Sequence, residues 1–442
     1  MAYADYVMPA SERAPRWSLS MAWWALFSAM FWIYVAVASA GAVGLVDTII
    51  GMALTVATYG VINLILSRHA ARTGLTVELT SRSMFGVVGS ALATLIFAAT
   101  AIYYCVFEGS IIAIAFQKTF GGELNLWYAA VVAYAIPLAS GPVQRWLDRL
   151  NGILLPIYAL GLMLVVVFAT VQNGAPTSVF DVAAAGPLPG WVTSYLIYMG
   201  VWIMMMYTFD YARMGRKQDE RFHGQFTFGW VFYFFTFIVN GLVGIYIIAA
   251  TGHEGSETGV VDAFLGSMGF FGLLVIFISQ TRINTANYFL ASSNLDAFAT
   301  RVFRLALPRW VWVIVAGIIT YVLMLTNVVT WLLKALAWQG VFVVAWVAIA
   351  LVFIWMLRGK DVVPEVRRPY LPAVTLGALA WIVASAVGIL LTELAGATVF
   401  GALAPVITFA IAAVGAWAAF RLQPPRTIAT DDAPRIDEQH LA

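Results

Sequence analysis

The chain has 442 residues, 62% of them hydrophobic and 10% charged, with a formal net charge of +2. A soluble globular domain carries about 25% charged residues, so this composition excludes one and predicts an integral membrane protein along nearly the whole length. The single cysteine, Cys105, rules out an internal disulfide and reads as a small buried hydrophobe in an apolar segment.

The first twenty or so residues are fairly polar and include Glu12, Arg13 and Arg16. They lack a short apolar core with a small-residue cleavage site, so the first span is expected to stay in the protein. Twelve apolar runs follow, each long enough to cross a bilayer as a helix. They start near Ala22, Val43, Gly86, Trp127, Ile153, Trp191, Phe226, Phe264, Trp310, Leu333, Leu371 and Ala397. The positive-inside rule tests this count. With the N-terminus in the cytoplasm, all but three of the 24 lysines and arginines fall in inner segments, from Arg13 and Arg16 through Arg145 and Arg149 to Arg435. The three others are Lys118 on the outer side, Lys334 near an outer boundary, and Arg282 inside a span. A miscounted helix would scramble this alternation, so twelve spans of a cytoplasmic-membrane protein with both termini inside are expected. The acidic outer segment from Thr251 to Asp262 reads as a solvated loop, and the tail after Arg421 as disordered.

His69, His223, His253 and His440 fall in predicted loops or the tail. Without an HExxH pattern or a histidine cluster in the spans, zinc-protease, haem and di-iron readings lose their ligands, and no metal or cofactor is expected. Neither a soluble domain nor a recognisable order of nucleophile, base and orienting group favours an enzyme or receptor. Nothing points to nucleic acid, and a monomer in the bilayer is assumed.

Three spans hold costly or special residues. In the third, Glu108 lies ten residues before Lys118, about 15 Å down a helix. Tyr104 precedes it by one turn on the same face. An aromatic plate beside a carboxylate suits a flat heterocycle, with the ring stacked and the carboxylate accepting from N–H groups. Burial would also make Glu108 a candidate proton carrier; a structural ion pair with Arg282 is the plainer alternative. In the sixth span, Gly200 precedes Val201 and Trp202, either as a helix break whose N–H groups face a ligand or as a packing glycine. Asp210 and Arg213, at i and i+3, read as a local salt bridge. In the eighth span, Arg282 lies about 30 Å by helix rise from both Asp262 and Arg301. A mid-bilayer charge costs roughly 2.5–3.5 kcal/mol on insertion scales, and such residues face a cavity or a partner. Gln280, Asn284 and Asn287 share one face of that helix, with the guanidinium directed elsewhere. Interhelical hydrogen bonding and a polar transport site both fit this stripe.

Several motifs carry a resemblance. Thr73-Gly-Leu-Thr-Val-Glu-Leu-Thr-Ser-Arg-Ser-Met-Phe-Gly-Val-Val-Gly-Ser90 is similar to the start of the third helix in the nucleobase–cation symporters. This family includes cytosine, purine, allantoin and hydantoin transporters. Asp210-Tyr-Ala-Arg-Met-Gly-Arg216 resembles its signature after the sixth helix, and Ile283 to Ser292 its asparagine-rich eighth helix. The resemblance implies an all-α fold of twelve helices with a LeuT-type five-plus-five inverted repeat and two extra helices. The implied layout is a cytoplasmic segment 1–20, a transporter domain 21–421 and a tail 422–442. Within the domain, the repeats would cover about 21–172 and 190–357, with the extra helices at about 370–421. It implies a substrate site at Tyr104, Glu108, Gly200, Val201, Trp202 and Asn287, with Asn284 as a close second. It also places the family's sodium-binding hydroxyl pair on Thr281 and Arg282, with carbonyl ligands near Phe27 and Phe31. An arginine there puts a fixed charge where sodium would bind, so proton coupling is expected rather than sodium coupling. The expected activity is import of a nucleobase or related heterocycle. A LeuT-type carrier of an amine or amino acid is the alternative, because a carboxylate also suits an amine.

Overall fold

The computed structural model describes residues 7–140, 142–305, 307–326, 332–358, 360 and 362–429, and of 142–151, 332, 333, 335 and 336 the backbone alone. Arg435 and His440, with the rest of the tail beyond 429, lie outside the described residues.

The first span is broken. Helix α1 (Arg16–Trp23) tightens into a 3-10 turn at Trp24–Ser28, and Ala29 is extended (φ −60°, ψ 125°) before α2 (Met30–Val43) resumes at a bend of 45°. The break has no glycine or proline, which is why it is invisible in the sequence. Helix α3 (Leu45–Thr73) forms the second span. Helix α4 (Val77–Phe120) is the third, and Gly86 (φ 83°, ψ 175°) kinks it into a short initial piece and the long crossing piece. Only glycine adopts that backbone readily. A Cβ at Gly86 would lie 2.6 Å from the Pro372 oxygen. The kink releases the N–H groups of Val87 and Val88, which donate to Pro372 O (3.0 Å) and Ala373 O (2.8 Å). Beside it, Phe85 stacks on Trp381, with ring centroids 4.9 Å apart and planes 8° from parallel.

Helices α5 (Leu124–Ala139) and α6 (Pro142–Asn173) follow. The sixth span is broken like the first, as α7 (Gly190–Met199) and α8 (Ile203–Ala212), bent by 43°. The seventh is built from α9 (Glu220–Phe222), α10 (Trp230–Tyr233) and α11 (Asn240–Thr251), joined by wide π-type turns. Next come α12 (Glu257–Met268), α13 (Phe270–Val302), α14 (Arg309–Leu325) and α15 (Leu332–Leu357). The chain closes with α16 (Leu376–Leu394), the short α17 (Val399–Ala402) and α18 (Ala404–Leu422). Among the described residues, counting each bent pair once, nine units are long and apolar enough to cross a membrane, and the shorter apolar α5 and α14 with the more polar α13 complete the twelve. Helix α4 lies along α13, with α5 and α14 against that pair. Helix α3 packs on α7 and α8, α2 on α11, and α16 and α18 on each other and on α15.

Three expectations need correction. The supposed outer loop holds the helix α12, capped where the Ser256 hydroxyl accepts the Gly259 N–H (3.1 Å) and docked by Lys118 to Asp262 (2.8 Å). Satisfied caps and one ion pair thus order a segment whose charges suggested solvent. His69 lies within α3, and His223 is buried, bonded through Nδ1 to Thr227 (2.9 Å), so neither sits in a loop. The tail is not wholly irregular: β2 (Thr427–Ala429) pairs antiparallel with β1 (Val362–Pro364), with Val363 opposite Ile428. Val363 and Ile428 cover a small cluster of Val7, Leu75, Leu79 and Val366, whose burial offsets the ordering cost.

The arginine-rich end of the bundle is fixed by a buried charge cluster. The Glu78 carboxylate faces Arg82 (3.3 Å) and Arg301, and accepts from the hydroxyls of Ser90 (3.2 Å) and Thr94. Asp210 does more than the local role expected of it. Its Oδ1 accepts the Val77 N–H (2.9 Å), capping α4 from the end of α8.

Candidate functional site

The site grows from the break in the first span. Interrupting a helix strands backbone groups that must find partners in the membrane. Leu26 O accepts the Trp32 indole N–H at 2.8 Å, and Phe27 O accepts the Asn240 amide at 2.7 Å. Ser28 O accepts the Ser279 hydroxyl, and the Met30 N–H donates to Gln280 Oε1 at 3.0 Å. Gln280 also donates through Nε2 to Glu108 Oε2, so α13 ties the break to α4. Glu108 is only 1% exposed.

Beside Glu108 lies a cavity of about 20 Å³ walled by the rings of Phe31, Trp32, Tyr104 and Tyr207. Glu108 and Asn287 are its polar walls; Leu26, Ala29, Met204 and Ile283 complete it. The volume suits about one water molecule, too little for a planar ring in this conformation. Phe31 meets Tyr104 edge-on at 5.1 Å, and the Tyr207 hydroxyl donates to Asn287 Oδ1 at 3.3 Å. Gln339 donates to the Tyr104 hydroxyl and to Gly200 O, each at 3.4 Å, linking this wall to the break in the sixth span.

The candidate residues therefore divide. Phe31, Tyr104, Glu108 and Asn287 meet at one cavity. Gly200 does mark a break, but its N–H and those of Val201 and Trp202 bond back to Ile197, Tyr198 and Met199, so none is left for a ligand. The Tyr198 carbonyl, besides taking the Val201 N–H, accepts the Tyr59 hydroxyl at 2.8 Å. A Cβ on Gly340 would sit 3.0 Å from the Gly200 Cα, so the two backbones pack closely there. Val201 is buried away from the cavity walls, and Trp202 turns its ring towards Tyr59 and Phe409. Asn284 faces Gly109, on the α4 side of α13 but off the cavity.

Thr281 points to α5, its hydroxyl 3.1 Å from that of Tyr134. Arg282 lies on the side of α13 towards Tyr158 of α6, whose ring packs on Phe27 at 5.4 Å. Because α13 starts at Phe270, Arg282 is about 18 Å from its N-terminal end, nearer than the distance expected by helix rise from Asp262. The Phe27 carbonyl is already an acceptor for Asn240, which in turn accepts from Tyr158 (3.1 Å). Among the described residues no group of three His, Cys, Asp or Glu could hold a metal ion. Trp32, Tyr207 and Gln339 were not among the expected residues, and Gln280 was expected only as part of the amide stripe. Gln339 was visible as a lone amide in an apolar run, but Trp32 and Tyr207 gave no signal within their aromatic stretches.

No protein-family pattern matches the chain, and no curated protein does. Solved structures match over nearly its whole length. The chain is similar to Mhp1, a nucleobase-cation-symport-1 family transporter, in a closed conformation with bromovinylhydantoin bound, at 14% identity and a TM-score of 0.76, covering 98% of this chain and 99% of that one. Against the inward-facing conformation of Mhp1 the values are 17% and 0.77, over 98% and 96%. A sodium-coupled sialic acid symporter in a substrate-bound outward-open state gives 13% and 0.67, over 96% and 93%. The fold is LeuT-type. The expected architecture is thus the one found, and the LeuT-type arrangement puts the broken first and sixth spans against α4 and α13 around the Glu108 cavity.

Proposed function

We propose that this chain is a secondary transporter that imports a nucleobase or related nitrogen heterocycle, of the cytosine, purine, allantoin or hydantoin type, by alternating access. The observation that carries this reading is the convergence of Tyr104, Glu108 and Asn287, with Phe31, Trp32 and Tyr207, on one small cavity at the break of the first span. Flat rings between aromatic walls, with a carboxyl group and an amide to read their edges, suit a planar ligand rather than a flexible one. The motif resemblance to the nucleobase–cation symporters points the same way, as does the likeness to a transporter solved with a hydantoin. The cavity must widen to admit such a ring, which fits a closed stage of the cycle. In this reading both termini are cytoplasmic, with five-span repeats at about 21–172 and 190–357 and two extra helices at about 370–421.

Coupling is read as proton rather than sodium. The carbonyls of Leu26, Phe27 and Ser28 already accept from Trp32, Asn240 and Ser279. The Arg282 guanidinium supplies the positive charge of that region, and Glu108 would carry the proton. The test is uptake into proteoliposomes of labelled cytosine, uracil, adenine, hypoxanthine, allantoin, hydantoin and thiamine. It is run with a sodium gradient, a proton gradient or neither. Uptake driven by protons and indifferent to sodium is expected. Steep sodium dependence at constant ionic strength would overturn the Arg282 argument, and silence across the panel with folded protein would shift the reading to amine or amino-acid substrates.

A further inference from the structure

The side chain of Gln280 joins three elements at the cavity. Its Oε1 accepts from the Met30 N–H at 3.0 Å, while Nε2 donates to Glu108 Oε2 and reaches Glu108 O at 3.4 Å. Amide orientation is often ambiguous, but a backbone N–H can only donate. The end of the amide facing Met30 must therefore be oxygen, and the end facing Glu108 must be the NH2 group. A carboxyl oxygen receiving that N–H cannot direct a proton of its own at the same donor. When Glu108 is neutral, its proton belongs on Oε1.

We propose that Gln280 is a positioning residue that commits one oxygen of Glu108, so that a ligand meets only Oε1, as an acceptor when the group is charged and as a donor when it is neutral. This rests on the cavity being the transport site. The two charge states read opposite ligand edges. A ligand N–H competes with the proton for Oε1, whereas a carbonyl oxygen or a ring nitrogen lone pair binds together with it. Proton and substrate travelling together thus require an acceptor edge towards Glu108, not the donor edge that a bare carboxylate suggests. The same amide holds the first N–H after the break in the first span, so the helix end and the carboxyl are held by one group and loosened by its loss.

The experiment uses purified full-length protein and the variants Gln280→Leu and Gln280→Glu. Hydrogen exchange in the peptide spanning 26–34 is read first, without ligand. Gln280→Leu removes the acceptor for Met30, and exchange there is expected to quicken about tenfold, the loss of roughly one buried hydrogen bond. Gln280→Glu keeps an acceptor and should retain protection. Equilibrium binding of the panel compound taken up by the wild type is read next. Gln280→Glu can offer Glu108 a donor only while the pair shares a proton. Its affinity should match wild type at mildly acidic pH and fall about tenfold relative to wild type at mildly alkaline pH. Gln280→Leu should bind weakly throughout. Unchanged exchange in Gln280→Leu, or a wild-type pH profile in Gln280→Glu, overturns the proposal. If no panel compound binds wild type while the exchange result holds, the heterocycle reading fails and the Gln280 bridge stands.

Discussion

Replacing Glu78 with glutamine tests how far buried charge holds the arginine-rich end together. The substitution keeps the shape of the side chain and removes its charge. Arg82 and Arg301 are 0% and 6% exposed, so neither guanidinium can turn to water when the carboxylate is gone. Removing one member of a buried ion pair costs about 3–5 kcal/mol. Two features place the expected loss at the lower end. Arg82 keeps its bond to Val366 O (3.1 Å), and Arg301 its bond to the Ser90 hydroxyl (2.9 Å). A chain larger than the usual calibration set shifts by roughly 1–2 °C per kcal/mol, so the midpoint should fall by about 3–6 °C. Tryptophan fluorescence during a thermal scan of detergent-solubilised protein reads this directly. Adding Arg301→Met to the Glu78→Gln background removes an uncompensated charge and should restore part of the loss. A single variant as stable as wild type, or a double variant that merely sums the two losses, would refute the reasoning.

Further expectations concern other parts of the molecule. Gly86→Ala puts a side chain in a backbone region costing about 1–3 kcal/mol and drives its Cβ into Pro372, so folded yield on size-exclusion chromatography should fall sharply. Glu108→Gln should abolish or re-specify ligand binding; wild-type affinity and selectivity in that variant would remove Glu108 from the site. Glu365 lies outside the spans. Burial pushes its carboxyl up, but hydrogen bonds and charge from Arg367 outweigh this and hold it below 4.5. A depressed carboxyl contributes stability above its unfolded pKa and loses it as pH falls through the folded value. Acidification below about pH 4.5 should therefore speed hydrogen exchange in the peptide around Val362–Arg367, and Glu365→Ala should lose that response.

Much of this architecture could be read from the sequence because bilayer physics writes it plainly. Twelve apolar runs, separated by alternating arginine-rich and arginine-poor segments, correspond to the twelve spanning units, within several residues at most starts. Gly200 marked the place of one break, although its own backbone stays helical (φ −59°, ψ −22°) and a packing glycine was the equal alternative. The break at Ala29 had no such mark, because tertiary partners maintain it: Trp32, Asn240, Ser279 and Gln280 satisfy its loose ends, three of them more than two hundred residues away. Helical spacing put Tyr104 and Glu108 on one face, and both reach the cavity. The same spacing grouped Gln280, Asn284 and Asn287, but a face is wide. Gln280 bridges two helices, Asn287 lines the cavity, and Asn284 faces Gly109 instead. Trp202 follows a break, so its direction depends on the bend, which no periodicity encodes. The motif residues Arg82, Phe85, Gly86, Ser90 and Asp210 identified a family-like pattern, but their partners are Glu78, Val366, Arg301, Val77, Trp381 of α16 and the stretch before it, away from the Glu108 cavity.

The kink at Gly86 also bears on how the protein is made. The start of the third span is finished by carbonyls of Pro372 and Ala373, which leave the ribosome about 290 residues later, roughly 15–60 s at ordinary elongation rates. During that interval Val87 and Val88 carry N–H groups that no earlier part of the chain completes in the native way. Insertion machinery or interfacial water must shelter them until the stretch before α16 arrives. A nascent chain halted short of Leu371 would leave this joint open.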